Sequence, residues 1–358
     1  MRRSALSLAA LSALTLVAAG SASAAAFNTD DLVIYRVGTG SGALSNAASQ
    51  VYLDEYTTSG SLVQSVAVSG LTASGSATSE GLLTRSADGR YLDFTGYAAS
   101  AGTSGVASTT SSSVKREIGQ ADASGNIAIA SVLDAYSGNN IRSAVSLDGS
   151  SFYSSGAGTN GGVRYDVGNS STAVSSATNT RQVNLYGGQL YYSTGSGSTG
   201  VYALGTGTPT SSATPTLIAA SSSPYAFLFA DLSSSVAGYD TLYVANDSKG
   251  IEKYSFASGV WSLTGTLAAS GVTGLTGAVG SDGQVKLYAT NANKLYGVLD
   301  SAGYNQAING TLTTLATAAT NTAFRGVALS PVPEPETVAL LLAGLAVLGG
   351  VARQQRRR

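Results

Sequence analysis

Short apolar runs broken by glycine-rich turns recur along most of this chain. Five of them, at 88–94, 148–153, 187–192, 239–244 and 282–288, open on a turn and continue as an apolar–aromatic segment. Four of the five open on Asp-Gly or Gly-Gly, pairs that tolerate the positive φ of a hairpin turn. Their anchor residues are Leu92, Phe152, Leu190, Leu242 and Leu287. After each of the last four comes a second segment holding a tyrosine, at 162–165, 200–202, 250–254 and 294–296, and 32–35 has the same look. More exposed third segments follow at 261–267 and 311–315. Ahead of each turn lies a further apolar run: Leu82 and Leu83, Ala144 and Val145, 183–185, 227–229 and 275–279.

The unit is therefore four short strands in about 40–50 residues, the repeat of a propeller blade. A β-helix is the alternative, since it also suits exported chains rich in Ser, Thr and Gly. Its rungs are shorter and hold no hairpin turn within each unit. Residues 325–330 read as an innermost strand with no blade after it, and 32–37 read as a strand with no innermost strand before it. Pairing 323–330 with 32–37 completes one blade, joins the ends and removes exposed sheet edges. The expected fold is all-β, a six-bladed β-propeller closed in this way. The long interval between Leu92 and Phe152 leaves room for a seventh blade, but its Ser/Thr-rich stretch 100–113 reads as a loop. The turns Ser86-Ala-Asp-Gly89 and Ser146-Leu-Asp-Gly149 resemble those of exported propellers with Ser-Pro-Asp-Gly repeats, which implies fold and not activity.

Both ends carry addresses. Arg2-Arg3, the apolar stretch 5–20 and the small residues 21–26 form a secretory signal peptide and its helix. Cleavage fits after Ala24, with Ala22 two residues earlier, or after Ala26. The bulky and basic residues of a twin-arginine signal do not follow the pair, which favours ordinary secretion. At the other end, Pro331, Pro333 and Pro335 keep the chain out of helix. The apolar run 338–352 follows, about 22 Å long as a helix, short for a bilayer unless its flanks snorkel. Arg353, Arg356, Arg357 and Arg358 then hold the tail on the cytoplasmic side. A plain single-span anchor with a proline-rich stalk is one reading. The order Val332, Pro333, Glu334, Pro335, transmembrane helix and terminal arginines also resembles the PEP-CTERM sorting signal of Gram-negative bacteria. That resemblance implies that a membrane-embedded exosortase recognises the Pro-Glu-Pro box and removes the tail. The protein, transiently membrane-anchored, would then pass to the cell surface or the exopolysaccharide matrix. The chain divides into a signal peptide (1–26), a body (27–330) and a sorting segment (331–358), with signal peptidase and exosortase as processing partners.

Composition narrows the chemistry. With Cys 0 and His 0 there is no disulfide framework, no thiolate, no Ser-His-Asp triad and no histidine-based zinc site. With the two ends set aside, acidic residues outnumber basic ones, which argues against a nucleic-acid partner. One constellation stands out. Arg142 and Arg181 precede the turn residues Asp148 and Gly187 by the same interval, and Arg325 precedes Leu329 as Arg181 precedes Leu185. All three would begin innermost strands and ring one mouth of a central channel, although Leu82 and Thr276 interrupt the ring. Converging guanidiniums suit an anion such as a carboxylate sugar or a phosphate. Bracing of loop carbonyls is the other reading.

The Asp-Gly turns and 246–250 lack the Asp-x-Asp-x-Asp-Gly spacing of a calcium loop, so no metal or cofactor is expected. Asp54, Glu55 and Asp93 stand as isolated carboxylates without a partner at glycosidase spacing. Tyr191 and Tyr192 suit either sugar stacking or packing. Sialidase-like sites work without histidine, but the Asp-box spacing of such enzymes does not occur here. The expected function is non-enzymatic binding or structure, with polysaccharide or a matrix protein as partner. The alternative is a propeller hydrolase or lyase acting on extracellular glycans.

Overall fold

The structure, a computed structural model, describes residues 25–333. Ala22, Ala24, Glu334, Pro335 and the arginines from Arg353 to Arg358 lie outside the described residues, as do the two expected terminal helices. Among the described residues no helix is long and apolar enough to cross a membrane, and the helical element present is a 3-10 turn at Val106–Ser108.

The first strands are β1 (Leu32–Val37), β2 (Ala48–Tyr56), β3 (Leu62–Ser74), β4 (Thr84–Arg85), β5 (Tyr91–Tyr97), β6 (Arg116–Asp122) and β7 (Ile127–Leu133). β1, β2 and β3 pair in order, and β4, β5, β6 and β7 do the same. One residue pair, Thr72 with Tyr97, links β3 to β5 and makes a single sheet of the two groups. Next comes β8 (Ile141–Ser146) with β9 (Phe152–Gly156), β10 (Gly162–Val167) and β11 (Ser170–Ala173). A second such sheet is β12 (Thr180–Tyr186), β13 (Gln189–Thr194), β14 (Gly200–Leu204) and β15 (Pro215–Ala220). The third is β16 (Pro224–Ala230), β17 (Thr241–Asn246), β18 (Gly250–Ala257) and β19 (Val260–Ala268). The fourth is β20 (Gly274–Val279), β21 (Val285–Thr290), β22 (Lys294–Asp300) and β23 (Thr313–Thr317). All four are antiparallel and run in chain order. The last strand, β24 (Ala323–Leu329), pairs antiparallel with β1, Leu32 opposite Leu329 and Val37 opposite Ala323.

The hairpin turns fall where the glycines demand them. Gly89 and Gly149 follow aspartates and take φ of 79° and 88°; a Cβ on Gly149 would also lie 2.7 Å from the Tyr91 ring. The inner strands of each unit are more buried than the outermost one. β9 and β17 are buried at every position, whereas β19 is mostly open to solvent. This gradient explains why Leu, Tyr and Val crowd the second strands while Ser and Thr fill the outer ones.

Faces of neighbouring sheets meet in apolar seams. Val145, Tyr153, Val183 and Leu190 form one, and Phe227, Phe229, Leu242 and Val201 form the next. Each such side chain contributes roughly 1.5–3 kcal/mol on burial. Innermost strands also bond across the seams. Leu82 N donates to Arg142 O, Ala226 N to Thr273 O, Gly326 N to Gly81 O and Thr290 Oγ1 to Arg325 O. Phe227 N is taken by the side chain of Gln182.

One expectation needs correction. Residues 32–35 were expected to match the tyrosine-bearing third strands. β1 instead lies second in its group, between β24 and β2, and is buried at all positions but one. Both kinds of strand carry a tyrosine after apolar residues, so local pattern does not separate them. The loop expected at 100–113 is present, and the interval between Leu92 and Phe152 holds no further sheet among the described residues. It contains the loop 98–115 with its 3-10 turn, then β6, β7 and β8. Arg116, fully buried, organises that loop by donating to Val114 O at 2.7 Å, Thr109 O at 2.8 Å and Asn139 O at 2.7 Å.

One buried charge pair sits in the last seam. Lys253 Nζ lies 2.7 Å from Asp300 Oδ2, both side chains fully buried, and Nζ also donates to Gly303 O. Tyr243 OH donates to the same carboxylate at 2.6 Å. Burial alone would raise the Asp300 pKa, but hydrogen bonds from Lys253, Tyr243 and Ala302 outweigh it and hold the carboxyl below its ordinary value. Lys253→Met leaves that carboxylate buried without its cation and is expected to cost about 3–5 kcal/mol in urea unfolding at neutral pH. Lys253→Met with Asp300→Leu should restore part of the loss.

Glu117 on β6 behaves oppositely. Its Oε2 is buried without a partner among the described residues, and burial lifts its pKa from 4.5 to about 7. The folded chain therefore holds a proton that the unfolded chain has released, so stability falls as pH rises from about 4.5 to about 7. Glu117→Gln is expected to raise the melting temperature at pH 8 and to leave it unchanged near pH 4, as thermal scans at both values will test.

Candidate functional site

The three arginines singled out by spacing do lie at the starts of innermost strands, and they share a device. Each sits where the ladder slips: in β8 between Ile141 and Ser143, in β12 between Thr180 and Val183, and in β24 opposite the shift between Ile34 and Arg36. Such bulges re-aim a side chain. The matching slip in β16 carries Tyr225, and the Arg181 guanidinium lies over its ring at 3.8 Å. β20 has no slip, so Thr276 points elsewhere and turn spacing misplaces it among the arginine positions.

The guanidiniums are largely committed to neighbouring carbonyl and hydroxyl oxygens. Arg142 donates from Nη1 to Asn179 Oδ1 and Thr180 O, and from Nε to Asn140 Oδ1. Arg181 donates to Ser223 Oγ and Pro224 O. Arg325 donates to Gly75 O at 3.0 Å and to Phe324 O. The Nε atoms of Arg181 and Arg325 are buried without a partner among the described residues. Burial, then the nearby Arg181 charge, lowers Arg142 to about 10. Segment 75–83 covers this end of the axis. Its Gly75 receives Arg325, Ser79 receives Asn140, and Leu82 is packed in a seam.

Within that segment sits Glu80, which the sequence reading missed. Its carboxylate accepts from Ser74 N at 2.9 Å and Tyr97 OH at 2.5 Å. Burial lifts it to about 7 against the pull of those bonds and of Arg325. The arginine end thus gathers one buried carboxyl and three guanidiniums that bond mainly to neighbouring oxygens.

The opposite end of the axis is open. A cavity of about 400 Å³ is lined there by β4 and β12, by Leu228, Leu275 and Thr276, and by the end of β24. Its polar lining is Thr84, Arg85, Ser86, Gln182, Asn184, Tyr186, Tyr239 and Thr276, and no carboxylate lines it. Gln182, Asn184 and Tyr186 alternate along β12 and so share one face. Gln182 Oε1 accepts Phe227 N at 2.8 Å, which fixes the amide. Asn184 Nδ2 donates to Tyr186 OH, and Tyr186 OH donates to Phe227 O. Tyr239, 36% exposed at the rim, packs edge-on against Tyr186 with centroids 5.9 Å apart. Burial pushes the Tyr186 phenol well above its ordinary pKa. None of these residues was singled out by the sequence as a site. The readable signal was the polar residue at every second position of an innermost strand, where a sealed core would place aliphatics.

The remaining sequence candidates resolve as packing. Asp54 pairs with Arg36 at 2.5 Å, Glu55 accepts Asn28 N and Gln64 Nε2, and Asp93 accepts Ser146 N and Oγ. Tyr191 packs on Phe229 and Tyr192 stacks on Tyr202. Asn246 bonds Ser221, Ser222 and Ser248 within its own turn region. Among the described residues no group of His, Cys, Asp or Glu could hold a metal ion.

The chain ends leave on the cavity side. Ala26 is exposed, and its carbonyl accepts Gln64 Nε2. Ser330 Oγ donates to Asn28 O, Arg85 Nη1 donates to Ser330 O at 3.3 Å, and Val332 N donates to Gly89 O at 2.9 Å. Val332 and Pro333 line a recess of about 280 Å³ with Arg90, Tyr91 and Asp122.

No curated protein matches the chain closely enough to count as a relative. Among solved structures, the body is similar to a protein provisionally named as a 6-phosphogluconolactonase from Bacteroides uniformis, at 15% identity over 81% of this chain and 83% of that one, TM-score 0.42. It is similar to a chain of the nidogen/laminin complex at 13% identity over 84% and 98%, TM-score 0.49. A third likeness is to a triple arginine-to-alanine mutant of AofleA from Arthrobotrys oligospora, at 10% identity over 84% and 92%, TM-score 0.47. With every TM-score below 0.5, these likenesses carry no argument about fold, ligand or chemistry. The tail is specific where the body is not: residues 331–358 match the PEP-CTERM protein-sorting motif, so the chain bears the signal of an exported protein that is held briefly in the membrane and processed by an exosortase.

Proposed function

We propose that the body is a six-bladed β-propeller closed by the β1–β24 ladder, and that it acts at the cell surface or in the extracellular matrix as a non-enzymatic glycan-binding protein. Support for the fold comes from six four-stranded groups and from innermost strands that bond one to the next back to β24. The functional reading rests on one observation: the open axial cavity is lined by amides, phenols, three aliphatic hydroxyls and one guanidinium, with no carboxylate. Fixed amides beside aromatic rings suit sugar hydroxyls and sugar faces. Acid–base cleavage of a glycosidic bond needs a carboxyl pair on either side of it, and the cavity lining supplies none. The arginine end is read as a brace, because its guanidiniums are spent on carbonyls and covered by 75–83.

The test is retention of the exported, leader-cleaved protein on immobilised polysaccharides. Tyr239→Ala removes the rim ring and is expected to weaken retention about tenfold. Arg142→Gln with Arg181→Gln should lower the melting temperature and leave retention unchanged. New reducing ends or unsaturated products in the same incubations would replace this reading with a hydrolase or lyase. Retention that follows the arginine pair instead of Tyr239 would move the site to the other end.

A further inference from the structure

We propose that the axial cavity is the seat of a carboxylate-bearing sugar residue, such as a uronic acid unit of an acidic polysaccharide, with the Arg85 guanidinium as the carboxylate's partner. This rests on the glycan-binding reading and adds the charge of the ligand to it.

The argument is a balance of donors and acceptors. Oxygens that line the cavity are mostly already occupied. Gln182 Oε1 holds Phe227 N, Asn184 Oδ1 holds Leu185 N, Thr84 Oγ1 donates to Ala144 O, and the Tyr186 hydroxyl is shared between Asn184 and Phe227 O. Donors are left over. Gln182 Nε2 has no partner among the described residues, and neither do Nε and Nη2 of Arg85, whose Nη1 makes one long bond to Ser330 O at 3.3 Å. The hydroxyls of Thr276 and Tyr239 are likewise uncommitted among the described residues. A site with surplus N–H, two free hydroxyls and no lining carboxylate favours a ligand rich in acceptors and repels cations. A guanidinium offering two parallel N–H groups matches a carboxylate in particular.

The charges facing Arg85 come from two sides. Burial comes first in lowering its pKa, and Asp30 and the Tyr186 phenol act against that; the guanidinium remains a cation. Asp30 is exposed and does not line the cavity, so it is no substitute for a ligand carboxylate within it. A floor of Leu228, Leu275 and Val327 and the ring of Tyr239 suit the apolar face of a pyranose beside its hydroxyls. A volume of about 400 Å³ takes one or two sugar units and not a folded partner.

The experiment is calorimetric titration of the exported, leader-cleaved protein with a uronic acid trisaccharide, with its carboxyl-reduced neutral counterpart, and with inorganic phosphate. The acidic trisaccharide is expected to bind at least tenfold more tightly than the reduced one. Arg85→Gln should bring the acidic ligand down to the level of the neutral one, and Arg85→Lys should fall between. Thr276→Val, distant from the Ser330 contact, should weaken both sugars about equally. Equal binding of the two sugars overturns the carboxylate assignment and leaves the glycan reading standing. Binding of neither sugar overturns both. Phosphate that competes as well as the trisaccharide overturns the sugar part of the assignment and leaves an anion site.

Discussion

Without the ladder between β1 and β24, the first sheet would lose its innermost strand and the last strand of the body would have no sheet to join. The two strands are about 290 residues apart, and closing a loop of that size costs about 5 kcal/mol of chain entropy. Leu32, Ile34, Phe324 and Val327 are buried at this junction, and four such side chains at roughly 1.5–3 kcal/mol each exceed that cost. The ladder also covers two rows of backbone groups that would otherwise be sheet edges. Everything else in the body is local by comparison: each remaining four-strand group is contiguous in sequence and meets the next across an apolar seam.

The two ends of the axis then differ for a reason visible in the backbone. At one end the innermost strands slip, arginines turn outward into the loops, and 75–83 lies over them. At the other, β12 from Val183 to Tyr186 and the whole of β20 pair without a slip, and the alternation of β12 delivers polar side chains to the axis. One strand, β12, thus contributes both to the brace through Arg181 and to the open cavity through Gln182, Asn184 and Tyr186.

Most strands were legible because turn glycines and buried second strands repeat: Leu92, Phe152, Leu190, Leu242 and Leu287 all lie in second strands. The pairing of 32–37 with 323–330 was legible from the leftover half-units at each end. The rank of β1 within its group was not, because Val-Ile-Tyr fits a second or a third strand equally well. The arginines were placed correctly on strands, but their environment was not readable. Covering by 75–83 is a tertiary fact with no local signature, and a bulge changes direction without changing spacing. Glu80 was hidden among Ser and Gly, where a lone carboxylate reads as surface. The cavity residues were missed because attention to charge passed over neutral Gln182 and Asn184, and Arg85 lies three residues past Leu82, off the spacing that singled out the other arginines.

The hydrogen bond from Val332 N to Gly89 O places the last anchored point of the body beside the turn that follows Arg85. From Pro333 to the start of the apolar run at Val338 the chain reaches at most about 18 Å. The sorting segment therefore leaves the body beside the cavity end and away from the arginine end. Cutting the tail does more than free the molecule. It takes away the segment that leaves the body beside the cavity, so maturation changes what stands next to the cavity's opening.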